Sequence, residues 1–147
     1  MSDLYDADFY AWANQQAELL RAGRVQAADI AHIAEEIESM GRSEKRELIS
    51  RLAVLLAHLL KWDAQPDRRG RSWILTILEQ REEVAEVLHD NPSLRARIEE
   101  ILADAYRKAL LAAERETGLP ESAFPAACPW TFEQAMRDEP DALAESR

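Results

Sequence analysis

The stretch HLLKWDAQPDRRGRSW, residues 58–73, places cationic side chains between two tryptophans in a way that could bind an anion. Arginines next to the free amide groups at the start of a helix can hold a phosphate or a carboxylate, and a tryptophan can stack on a nucleobase. The candidate residues for an anion- or partner-binding site are Lys61, Trp62, Arg68, Arg69, Arg71 and Trp73. The alternative interpretation is that the stretch is only the end of one helix and the start of the next, with ordinary exposed arginines between them.

Carboxylates and imidazoles elsewhere in the sequence have the chemistry of metal ligands. The candidates are Glu35, Glu38 and His58, with His32 as a further ligand. Zinc and iron sites use such side chains. Di-iron helical bundles, however, repeat a Glu-x-x-His spacing on paired helices, and this sequence does not repeat it. A metal site is therefore one of two interpretations of these residues, the other being a solvated acidic helix face.

One arginine lies within an otherwise apolar helix face. Arg81 shares this face with Ile77 and Val84, and burying its charge without a carboxylate would be costly. Glu35 or Glu38 could supply this carboxylate, and Gln16 could add a hydrogen bond. The predicted structural polar network consists of Gln16, Glu35, Glu38 and Arg81. Alternatively, the guanidinium reaches the surface and only its aliphatic stem packs.

The sequence places no nucleophile beside an activating group. Cys128 has no histidine nearby in the sequence, and we expect a small packed thiol next to Trp130. Motifs of the Gly-x-Ser-x-Gly, glycine-rich phosphate-loop and Cys-x-x-Cys types are absent. Covalent catalysis is therefore not expected.

The elements that must position these residues are predicted to be helices, because alanine, leucine, glutamate and arginine are frequent and period-two strand patterns are missing. Five long helices are predicted at about residues 8–22, 26–40, 43–65, 72–89 and 94–117, and a short one after Thr131. Gly41 separates the second helix from the third, and short connections favour antiparallel packing. The sequence thus predicts an all-α, single-domain antiparallel helical bundle over residues 1–138. An acidic tail, residues 139–147, is expected to be disordered.

Helix faces predict which segments line the core. The third predicted helix is apolar almost all round between Leu48 and Trp62, so we expect it at the centre of the bundle. The second carries one apolar stripe, as is typical of a helix that packs on a single side. This stripe consists of Ile30, Ile33, Ile37 and Met40.

Composition excludes several classes of protein. The chain has 147 residues, 47% of them hydrophobic, enough for one domain with a core. Its net charge is −10, and an acidic protein is a poor general binder of nucleic acids even though residues 42–81 are locally basic. The longest apolar run is too short to cross a bilayer, and the single cysteine fits a reducing cytoplasm. We therefore expect a cytoplasmic protein that neither binds nucleic acids in general nor enters membranes.

Several blocks of the sequence resemble one known family. They are YDADFYAWANQQAELLRAGR, IAEEIESMGRSEKRELISRLAVLLAHLLKW, the RSW after the loop and the late CPW, in this order. Together they resemble a bacterial family catalogued as domain of unknown function twenty-nine, over most of the chain from Tyr5 to about Gln134. The resemblance implies an all-helical bundle, in agreement with the helical pattern, and it implies no activity.

Three functions remain open from the sequence alone. The leading hypothesis is a non-enzymatic cytoplasmic helical module that binds a partner protein or itself and needs no cofactor. The alternatives are a metal-dependent enzyme built on Glu35, Glu38 and His58, and a binder of a small anion or a nucleotide at the loop of residues 68–73. Converging metal ligands would favour the enzyme, and loss of binding on replacing the loop arginines would favour the anion binder.

Overall fold

The computed structural model describes residues 2–138, and these are mostly helical. The α-helices are α1 (Ser2–Ala7), α2 (Phe9–Arg21), α3 (Ile30–Ala64), α4 (Arg71–Asp90), α5 (Ile98–Thr117) and α6 (Phe132–Arg137). No strand occurs in the described range, so the all-α prediction is confirmed. The acidic tail for which we predicted disorder, residues 139–147, lies outside the described residues. The chain divides into two compact units, one ending at Ser43 and the other beginning at Glu44.

The helix break predicted at Gly41 was wrong, because α3 is one helix of 35 residues. A glycine typically ends a helix by taking the left-handed conformation, as Gly23 (φ 75°) and Gly118 (φ 76°) do. Gly41 has no positive φ. The Glu, Met, Arg and Lys residues around it favour helix, and together they outweigh the cost of about 1 kcal/mol for glycine relative to alanine inside a helix.

In the first unit, α1, α2 and a short 3-10 turn (Val25–Ala27) precede the start of α3. Asp8 accepts a hydrogen bond from the amide of Ala11 at 3.0 Å and so caps α2, whose start agrees with the helix predicted from about residue 8. α3 begins later than the predicted residue 26 because the 3-10 turn intervenes. Among the described side chains of this unit, Trp12 and Gln16 alone are buried. The first unit therefore has very little hydrophobic core of its own.

In the second unit, two ion pairs between α3 and α5 fix the direction of the helices. The Nζ–carboxylate distances are 2.7 Å for Lys45–Glu100 and 2.9 Å for Lys61–Glu116. Because each pair joins residues 55 apart, α5 runs alongside α3 in the same direction. The Asn91 side chain, just after α4, donates to the Glu44 carboxylate at 3.1 Å. α4 therefore runs back along α3, so that α3 and α4 are antiparallel and α4 and α5 are antiparallel, as predicted.

The C-terminal half of α3 forms the centre of the second unit, as its apolar pattern predicted. Its most deeply buried side chains are Leu48, Leu52, Leu55, Leu56, Leu60 and Trp62. They belong to one core with Ile77 and Val84 of α4 and Ile101 of α5. An apolar helix surface on nearly all sides is stable here because other helices cover it.

The chain after α5 adds the short helix α6 to this unit. Thr131 and Gln134 form a capping box at its start, with mutual side chain to backbone hydrogen bonds of 3.1 and 2.9 Å. The short helix predicted after Thr131 is thus confirmed. The hydroxyl of Tyr106 on α5 donates to the carbonyl of Pro125. Ala135 of α6 is fully buried, so the proline-rich segment and α6 are part of the packed unit.

Candidate functional site

The start of α3 is held by the side chain of Asp29. Its Oδ2 accepts hydrogen bonds from Nδ1 of His32 at 2.7 Å and from Nε1 of Trp12 at 3.2 Å. Its backbone amide donates to Oε1 of the buried Gln16 at 2.7 Å. The hydrogen bond from His32 lowers the pKa of Asp29 and raises the pKa of His32. The charged pair is therefore favoured, and it joins α2 to α3.

Aromatic stacking extends this arrangement to α1. The ring of Tyr5 stacks on His32 with centroids 3.9 Å apart and meets Trp12 edge-on at 4.7 Å. Its hydroxyl donates to Oε1 of Glu36 at 2.8 Å, and this hydrogen bond is the main reason that the pKa of Tyr5 is raised to about 12. We call the six residues the Asp29 cluster. Its members are Tyr5, Trp12, Gln16, Asp29, His32 and Glu36.

Sequence reasoning placed two members of the Asp29 cluster, His32 and Gln16, in other roles and missed Tyr5, Trp12 and Asp29 as partners. An aspartate three residues before His32, just ahead of an apolar helix pattern, is a capping signal that could have indicated Asp29. An aspartate–histidine pair can serve as a general base. Here the same carboxylate binds Trp12 of α2, and its Oδ1 accepts a hydrogen bond from the backbone amide of His32 in the first turn of α3 at 3.4 Å. These contacts give the pair a structural role.

Four of the six candidate residues of the anion site make contacts within the second unit. Nε of Arg69 donates to the carbonyl of Trp62 at 2.7 Å, and its guanidinium lies 5.3 Å from the centroid of that indole. The ammonium of Lys61 lies 5.3 Å from the centroid of Trp73 and is paired with Glu116. Only 5% of Lys61 is exposed. The two rings predicted to stack on a ligand, Trp62 and Trp73, therefore each already form a cation–π contact with a side chain of the same unit.

The other two candidates, Arg68 and Arg71, are exposed beside the start of α4. The N-cap residue there is Gly70, which makes no side-chain capping bond. Of the six candidate residues, the two exposed arginines are thus the ones that could still bind an anion. The alternative interpretation, that they are ordinary cationic surface, fits them as well.

The structure gives the candidate metal ligands separate environments. His32 belongs to the Asp29 cluster, and Nδ1 of His58 hydrogen-bonds the carbonyl of Val54 at 2.8 Å. Burial lowers the pKa of His58. Glu35 and Glu38 are exposed. Across residues 2–138, no three His, Cys, Asp or Glu side chains are grouped in a way that could hold a metal ion.

Two residues of the predicted polar network, Arg81 and Gln16, form hydrogen bonds with residues outside that network. Nε of Arg81 donates to the carbonyl of Ala135 at 3.0 Å, and a terminal nitrogen donates to the carbonyl of Asp138 at 2.7 Å. These carbonyls belong to the end of α6, where helical carbonyls lack partners within the helix. Gln16 binds the amide of Asp29 instead. Arg81 therefore joins α4 to the end of α6, and Gln16 joins α2 to the residue that precedes α3.

The lone cysteine is part of the packing of the second unit. Sγ of Cys128 donates to the carbonyl of Trp130 at 3.3 Å, and burial raises the pKa of the thiol. A thiol with a raised pKa is a poor nucleophile. The structure thus agrees with the expectation of a small packed thiol next to Trp130.

Most of the large exposed apolar side chains of the described residues lie in the first unit. The apolar stripe predicted for the start of α3 exists, but three of its four members face solvent: Ile30, Ile37 and Met40 are 51%, 60% and 64% exposed, and Ile33 is half-buried. We call these four residues the α3 apolar stripe. Large apolar residues of this unit that are likewise exposed are Phe9, Tyr10, Leu20 and Val25.

The described helices provide no candidate for a bilayer-spanning segment, since none is both long and apolar enough. No curated protein and no solved structure gives a significant match to the sequence. Residues 4–139 match the family described as "Domain of unknown function DUF29". This match covers nearly the whole chain and confirms the resemblance indicated by the sequence blocks. The chain therefore belongs to the DUF29 family, whose description names no activity.

Proposed function

We propose that this protein is a non-enzymatic helical interaction module that binds another protein through its first unit. The observation that carries the proposal is the imbalance in that unit, where seven large apolar side chains are exposed and two described side chains are buried. Three of these exposed side chains, Ile30, Ile37 and Met40, lie along one face of α3, and a run of exposed apolar side chains on one helix face is typical of an interaction site. A unit with so little core gains stability when a partner covers this surface.

The charge of the first unit favours a protein over a lipid surface as the partner. Residues 1–43 contain eight acidic and three basic residues, a net charge of −5. Helices that lie on membranes combine an apolar face with lysine and arginine, because membrane surfaces are anionic. An acidic apolar surface would be repelled there, whereas proteins offer surfaces of either sign.

The other predicted properties fit the same proposal. A module of this kind needs no metal or cofactor, and its free, half-buried cysteine is suited to the reducing cytoplasm. Packing and helix capping account for the hydrogen bonds of the Asp29 cluster and of Arg81. We therefore assign these polar residues a positioning role.

Photocrosslinking in the cells that produce the protein tests the proposal. Benzoylphenylalanine replaces Ile37 in the full chain, and in a matched control it replaces Leu111 of α5, which is 62% exposed against 60% for Ile37. We expect a discrete adduct with a second protein from position 37 and none from position 111. Absence of an adduct at position 37, or equal yields at both positions, would refute the proposed surface.

A further inference from the structure

We infer that the α3 apolar stripe binds an amphipathic helix whose apolar face is bordered by lysine and arginine. The inference rests on the proposed function and names the chemistry of the partner. Ile30, Ile33, Ile37 and Met40 follow one another at intervals of three, four and three residues. This is the spacing at which one helix presents a seam to another. The seam covers three turns, about 15 Å along the axis.

The surface beside the stripe is shaped for close approach of a second helix. Ala34 and Gly41 lie next to the stripe, seven residues apart on one edge of the same helix face, and both are exposed. A Cβ placed on Gly41 would meet no atom within 4 Å, so the space above it is open. Small side chains at a contact allow helix axes to approach to the lower end of the usual 8–10 Å range. A helix is therefore the secondary structure that fits this face best.

Charge decides which helix fits. The first unit carries a net charge of −5, and Glu38 is exposed on the same segment of α3 as the stripe. Two copies of this unit facing each other would bring two like charges of this size together, which disfavours self-association through the stripe. A partner with lysine and arginine along the borders of its apolar face is attracted instead, and its association should be faster at low salt.

Binding of designed peptides to the full-length protein tests the inference. The probe is a fluorescent peptide of about 18 residues, five helical turns, with leucine at helical spacing and lysine elsewhere. A leucine–glutamate peptide with the same apolar face and a scrambled leucine–lysine peptide are the controls. We expect binding of the first peptide only, measured by fluorescence anisotropy, and weaker binding at high ionic strength.

Two sets of variants assign the binding to the stripe and to its charge. Ile37→Ser/Met40→Ser should weaken binding about tenfold or more. Leu111→Ser, at an equally exposed site, should leave binding unchanged. Glu38→Lys should weaken binding of the lysine peptide and improve that of the glutamate peptide. The same reversal at an exposed glutamate of α4, Glu82→Lys, should have a much smaller effect.

Three results would overturn the inference. They are equal binding of the lysine and glutamate peptides, an effect of Leu111→Ser as large as that of the stripe variant, and a dimer in analytical ultracentrifugation that Ile37→Ser/Met40→Ser dissociates. The failure of the inference can be told from the failure of the proposed function. Suppose that position 37 gives a protein adduct but the peptides bind without a preference for charge. The proposed function would then stand, and only the inference that the partner is cationic would be refuted.

Discussion

Glu116→Gln is expected to destabilise the second unit more than Glu100→Gln does. Both carboxylates lie on α5, and each pairs with a lysine of α3 that is 55 residues earlier. The pairs differ in burial, because 7% of the Lys61 side chain is exposed against 31% of the Lys45 side chain. The two variants therefore test the same chemistry at two depths.

The difference in stability between the two variants depends on the environment that each lysine keeps after its glutamate is replaced. An exposed pair such as Lys45–Glu100 contributes about 0.2–1 kcal/mol. Removing one partner of a fully buried pair costs about 3–5 kcal/mol. Glu116 is 47% exposed, so water reaches its side of the pair, and the Trp73 ring still faces the ammonium of Lys61. We therefore expect a loss of about 1–2 kcal/mol for Glu116→Gln and about 0.5 kcal/mol for Glu100→Gln.

Urea unfolding followed by far-UV circular dichroism measures both losses, provided that the m-value is unchanged. Adding Lys61→Met to Glu116→Gln should restore stability, since the buried charge is removed and an unbranched apolar chain fills its place. Equal losses for the two glutamate variants would refute the reasoning from burial. If Lys61→Met/Glu116→Gln were less stable than Glu116→Gln alone, the unpaired lysine charge would not be destabilising at this site.

Three further predictions concern other parts of the chain. Gly41→Ala should stabilise the protein by about 0.5–1 kcal/mol in thermal unfolding, because Gly41 is inside a helix in open space, while Gly118→Ala at φ 76° should cost about 1–2 kcal/mol. A destabilising Gly41→Ala would mean that α3 is broken there. Arg69→Ala should lower the free energy of unfolding by about 1–2 kcal/mol, because the contacts of Arg69 with the Trp62 carbonyl and indole are lost. Arg68→Ala, at an exposed position, should lower it by less than about 0.5 kcal/mol. Equal losses for the two variants would contradict the contacts of Arg69. The pKa of His32 is raised from 6.5, so its contribution is full below that pH and is lost as the pH rises through the raised pKa. Hydrogen-exchange protection at the start of α3 should fall over this range, and His32→Gln should remove the dependence; protection that is constant with pH would argue against the ion pair.

The sequence by itself determined the fold class and most of the helices. The predicted helices at 72–89 and 94–117 correspond to α4 (Arg71–Asp90) and α5 (Ile98–Thr117), and Thr131 caps α6 as its sequence pattern indicated. The apolar stretch from residue 48 to 62 is central to its unit. These features depend on residues a few positions apart, so propensity, capping and periodicity are enough to predict them.

The tertiary structure alone decided which side chains of these helices are engaged and which are free. Lys61 looked like part of a cationic surface, but it is buried because Glu116 comes to it from 55 residues away. The α3 apolar stripe looked like a core face, but three of its four residues remain exposed. The Asp29 cluster joins residues up to 31 positions apart. A helical pattern fixes the face on which a side chain lies, whereas its burial and partners depend on which other segment packs against that face.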